Sequence, residues 1–79
     1  MGQVRNDKIL QRIALVLKDL RDEYGLSQEA VYNDTNIHIG RIEAGQSNPS
    51  ISTISELASY FNLKMSEFFE KVEGKPKRR

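Results

Sequence analysis

Residues 27–45 read SQEAVYNDTNIHIGRIEAG, and this stretch decides how the rest of the chain is read. Ser27 is a good helix N-cap, because its hydroxyl accepts from a backbone N–H that the first turn leaves unpartnered. Glu29 puts negative charge in that turn, at the positive end of the helix dipole. Ala30 and Val31 give the short helix an inward side. Thr35-Asn36 reads as a tight turn, since Asn tolerates a left-handed backbone and its side chain bonds locally. Asn36 is also a candidate cap for the next helix. Ile39 and Ile42, three apart, form the buried face of that second short helix, which Gly45 stops from the C′ position. Two short helices joined by a compact turn make a helix-turn-helix.

The flanks read as a support for this pair. On the N-terminal side, Asn6-Asp7 opens a helix over about 7–23 whose apolar residues Ile9, Ile13, Leu17, Leu20 and Tyr24 recur at helical spacing. Leu10 and Val16 adjoin that face, while Lys18, Arg21 and Asp22 take the other side. Core packing is the expected role, because fewer than three heptads make a poor coiled-coil seam. On the C-terminal side, Ser50 caps a helix over about 51–61 that buries Ile54, Leu57, Ala58 and Phe61, with Asn62 ending it. A last helix over about 65–72 carries Met65, Phe68, Phe69 and Val72. The expectation is an all-α domain of five helices (about 7–23, 28–34, 38–44, 51–61 and 65–72). It spans 7–73, between a flexible start at 1–6 and a basic, disordered tail at 74–79.

Gly25-Leu26-Ser27-Gln28-Glu29, then Gly40-Arg41-Ile42-Glu43-Ala44-Gly45, then Asn48-Pro49-Ser50-Ile51-Ser52-Thr53-Ile54 form an ordered set. It continues through Leu57-Ala58 and Leu63 to Glu67-Phe68-Phe69. Together these residues resemble the Xre/lambda-repressor-like helix-turn-helix family over roughly residues 9–70. The resemblance implies five helices, with the second lying across a DNA backbone and the third reading bases. Three departures stand out. Ala30 replaces the Glu that would complete a capping box with Ser27. Tyr32 stands where a small residue is usual. Between the second helix and Ile39 the chain is about three residues short, most of one turn, so the recognition helix loses its first turn. Tyr32 is expected to fill the space that this turn would occupy.

Candidate DNA contacts come from position and chemistry. The resemblance gives Gln28 a phosphate contact that also supports the recognition helix, a bridging task its amide suits; a solvated polar residue is the plain alternative. Arg41 has the planar fork that matches the O6/N7 edge of guanine. A phosphate contact, or a salt bridge to Glu43 or Glu29, stays open for it. His38, three before Arg41, shares the outer face and can donate to phosphate or base, or simply be exposed. Gly40 costs a mid-helix position about 1 kcal/mol relative to Ala; close approach to DNA or close helix packing would justify it. Ser47 and Asn48 can donate to phosphate as neutral groups, and Ser27 is a further candidate contact. Ser50, a natural cap with Thr53 three later, opens a helix whose free N–H groups could dock a phosphate, with plain capping as the alternative for Ser50. Tyr60, Met65 and Phe69 exceed what a small core readily hides and are candidates for a homodimer contact, with core packing alone as the alternative.

Charge cuts across this reading. The chain of 79 residues carries a net charge of +1. Four of its 12 Lys and Arg lie in residues 75–79, leaving eight against 11 acids in residues 1–74, a net of −3. DNA-binding bodies are usually basic, because phosphate neutralisation supplies most of the non-specific affinity. The basic tail is expected either to add attraction to DNA or only to solubilise.

No cysteine is present, which fits a reducing compartment. No apolar run approaches a membrane span and no signal-peptide pattern occurs. One His and scattered acids give no metal-ligand cluster, and neither a phosphate-binding glycine loop nor a nucleophile motif occurs. No enzyme activity, cofactor, metal or small-molecule substrate is expected. The expected function is a cytoplasmic, homodimeric transcriptional regulator on double-stranded DNA, acting as repressor or controller at its own or a neighbouring promoter. The alternative is a protein-binding module on the same fold, an antitoxin or polymerase adaptor.

Overall fold

Asn6 begins the described part of the chain by capping its longest helix, its Oδ1 accepting from Ile9 N at 3.1 Å. The computed structural model describes residues 6–74; the rest of the expected flexible start and the basic run at 75–79 lie outside it. Five helices run in order: α1 Asp7–Tyr24, α2 Gln28–Thr35, α3 Ile39–Glu43, α4 Ile51–Tyr60 and α5 Met65–Glu73. The domain is all-α, as expected. The boundaries move most at α3, where His38 and Ala44 fall outside the helix as its two caps.

The apolar stripes meet in one core. Leu17, Val31, Ile39, Leu57 and Phe68 are fully buried, one from each helix. Helix α1 packs on α3 and α5, α2 on α3 and α4, and α4 on α5. The stripe on α1 is rotated from the expected one: Leu10, Ile13, Ala14, Leu17 and Leu20 are buried, while Ile9 and Val16 only flank the core. Tyr24 is 46% exposed and not a core residue. Its ring tilts against Phe61, and its hydroxyl donates to Phe61 O at 3.0 Å, a polar end that full burial would strand.

The turn between α2 and α3 is built by side chains. Thr35 Oγ1 donates to Val31 O at 2.8 Å and accepts from Ile37 N at 3.0 Å. Asn36 takes a left-handed φ of 66° and closes α2, donating its N–H to Tyr32 O. It therefore does not cap α3, because the chain runs two residues further before that helix starts. At the other end of α3, Gly45 has φ of 74°; its N–H donates to Ile42 O while Gln46 N donates to Arg41 O. This is the paired 5→2 and 6→1 bonding of a Schellman stop. Asn62, with φ of 64°, ends α4 by the same two bonds.

The aromatic and Met group at the C-terminal end differs from expectation in its exposure. Phe68 and Val72 are buried, and Tyr60, Met65 and Phe69 are half-buried against the same core. The Tyr60 hydroxyl also donates to Asp34 Oδ2 at 2.6 Å, tying α4 to α2. The core hides more of this group than its composition suggests, because α5 packs against both α1 and α4.

Candidate nucleic-acid interface

Helix α3 has only five residues, too short to be stable alone, so its neighbours must place it. Ile39 and Ile42 face inward at 0% and 4% exposure. Glu43, next in line, is held by polar bonds. Its Oε2 accepts from Arg21 Nε at 2.7 Å, and its Oε1 accepts from Arg21 Nη2 and Gln28 Nε2, each at 2.9 Å. Arg21 Nη1 donates to Leu26 O at 2.9 Å. The Glu43 carboxylate thus joins α3 to α1 and α2, and Arg21 carries the link on to the α1–α2 turn. The hydrogen bond to Glu43, opposed by burial and aided by its charge, holds the Arg21 guanidinium above its ordinary pKa.

Periodicity alone misplaces both members of this pair. It puts Arg21 on the polar side of α1 and offers Glu43 only as a partner for Arg41. Both sit beside an apolar stripe, Arg21 after Leu20 and Glu43 after Ile42, which is where an interface ion pair belongs. Local pattern marks that border without naming the partner across it.

Gln28 opens α2, and its donor is turned to Glu43. Its Oε1 lies over Gly40, where a Cβ would sit only 2.8 Å from it. The glycine therefore admits the Gln28 amide, which identifies close helix packing as a reason for its presence. Ser27 Oγ is engaged as the α2 cap, accepting from Ala30 N at 3.0 Å.

The outer face of α3 is different. Arg41 is exposed and makes no ion pair among the described residues, so the expected alternative of a bridge to Glu43 or Glu29 is not formed. His38 is exposed at the N-cap position but bonds no backbone N–H of α3. Its ring stacks on Tyr32, with centroids 4.5 Å apart and planes 28° from parallel. Tyr32 thus stands at the start of α3.

Gln28, His38, Gly40 and Arg41 line one groove of about 390 Å³ between α2 and α3, joined by Glu29, Tyr32, Ile39 and Gln46. The remaining candidates do not line it. Ser47 is half-buried and Asn48 exposed in the loop after α3. Ser50 Oγ caps α4, accepting from Thr53 N at 3.1 Å and donating to Thr53 Oγ1 at 3.1 Å, so both hydroxyls already have partners. Among the described residues no cluster of His and acids could hold a metal ion, and no helix is long and apolar enough to cross a membrane.

No curated protein and no solved structure matches this chain. A family model for the helix-turn-helix matches residues 17–68, more than half of the chain and all of α2, α3 and α4. With that match and the five-helix architecture, the chain belongs to the Xre/lambda-repressor-like helix-turn-helix family of DNA-binding regulators.

Proposed function

We propose that this protein is a sequence-specific regulator of transcription that binds double-stranded DNA as a homodimer, repressing or controlling its own or a neighbouring promoter in the cytoplasm. The observation that carries the reading is the division of labour on α3. Glu43, the acid nearest Arg41 in sequence, is neutralised from behind by Arg21, leaving Arg41 exposed and without an ion pair among the described residues. An unpaired guanidinium on the outward side of a rigidly seated helix suits bidentate recognition of guanine.

Gln28 supports this face rather than standing free on it, with its remaining N–H available near the α2 N-terminus. Ser27, Ser47, Asn48, Ser50 and Thr53 are proposed as phosphate neighbours that set register. Two copies read a two-fold site about one DNA turn apart. The outer edges of Tyr60, Met65 and Phe69 are the proposed dimer contact, tested by sedimentation of the wild type against Phe69→Glu.

The acidic body and the five-residue α3 favour a second reading, a protein-binding module on this fold. Fluorescence anisotropy of randomised and selected duplexes across a salt series separates the two. Preference for particular duplexes, weakening as salt rises, supports the regulator. Equal, negligible binding to every duplex at low salt supports the protein-binding module.

A further inference from the structure

The stacked pair at the start of α3 has no evident task in holding the domain together. His38 caps no backbone N–H, and neither its ring nitrogens nor the Tyr32 hydroxyl has a partner among the described residues. Tyr32 keeps 37% of its surface exposed and His38 is exposed too. Both rings line the α2–α3 groove that Arg41 shares. Apart from them, its exposed walls come from polar Gln28, Glu29, Arg41 and Gln46.

An aromatic wall beside an unpaired guanidinium matches a specific pair of neighbours in a DNA major groove. Guanine offers O6 and N7 to the guanidinium, and the apolar group on the groove floor is the C5 methyl of thymine. We propose that the Tyr32–His38 stack packs against a thymine C5 methyl next to the base pair engaged by Arg41. The proposal rests on the DNA reading above. It assigns base recognition to a side chain of α2 and explains how a five-residue helix reads more than one position. The aromatic pair supplies the apolar surface, and Arg41 supplies the hydrogen bonds.

A duplex selected by the intact chain from a randomised pool serves as the probe, so the operator sequence need not be known. Each thymine is replaced in turn by uracil, which removes only the methyl. Affinity should fall about fourfold at one thymine per half-site, the weight of one buried methyl group. Tyr32→Ala should bind the thymine and uracil duplexes equally. His38→Ala, an exposed position that leaves the core untouched, should lose most of the same discrimination and serves if Tyr32→Ala fails to fold. Indifference of the wild type to every uracil overturns the proposal, as does unchanged discrimination in the folded variants. Failure to enrich any duplex overturns the DNA reading itself, and the methyl site with it.

Discussion

Helices α3 and α4 lie one loop apart and are placed by different means. Helix α4 has ten residues, a Ser50 cap with two bonds to Thr53, and a left-handed Asn62 at its end. Helix α3 has five residues and no side-chain cap, and α1 and α2 seat it through Ile39, Ile42 and the Glu43 fork. Local caps mark both ends of α4, while Ile54, Leu57 and Ala58 anchor it in the core. For α3 the position is a tertiary property, which leaves its outer face free of structural duty.

The strongest way to break this contrast is at the fork. Glu43→Ala leaves the nearly buried Arg21 without its partner, with an expected loss of about 3 kcal/mol in urea unfolding. DNA preference should vanish with it, because α3 is no longer oriented. A loss no larger than that of an ordinary surface substitution would mean that Ile39 and Ile42 alone seat the helix.

A smaller effect sharpens the same point at the caps. Ser50→Ala should cost about 1 kcal/mol, the usual weight of an N-cap. His38→Ala, at the matching position of α3, should stay within about 0.5 kcal/mol because no cap bond is lost. Gly40→Ala combines two opposed terms. Helix propensity gains up to about 1 kcal/mol, while the new Cβ displaces the flexible end of Gln28 from its seat. The expected outcome is near-neutral stability with weaker duplex binding, read by unfolding and anisotropy on one preparation.

The smallest effect lies away from α3. The hydrogen bond from Tyr60 to Asp34 raises the phenol pKa above its ordinary value, with burial and the carboxylate charge adding to it. A raised folded-state value means that this contact stabilises fully below the ordinary phenol pKa, about 10. The contribution is lost as pH rises through the folded-state value. Tyr60→Phe should therefore be less stable than the wild type by under about 1 kcal/mol near neutral pH, with the gap closing in strong alkali.

Much of the scaffold is legible from local pattern. Ser27, Ser50 and Asn6 cap helices as their spacing from the apolar stripes suggests, and Asn36, Gly45 and Asn62 take the left-handed backbone at helix ends. Arg21, Glu43 and Tyr24 escape local pattern for one shared reason. Each borders an apolar stripe, and whether such a residue turns inward depends on a partner 22 or more residues away. The proposed site divides similarly. Sequence places His38, Gly40 and Arg41 near one another, but the Gln28 amide resting on Gly40 and the Tyr32 ring stacked on His38 are contacts between two helices. They depend on how α2 packs on α3, which no local periodicity encodes.

The most direct test compares wild type and Arg41→Ala on a selected duplex and its single-base-pair variants. Arg41→Ala should keep the wild-type melting temperature while losing discrimination at one G·C pair per half-site, by about 1–3 kcal/mol. A folded Arg41→Ala protein that ranks every duplex as the wild type does would contradict the account, because the outer face of α3 would then read nothing.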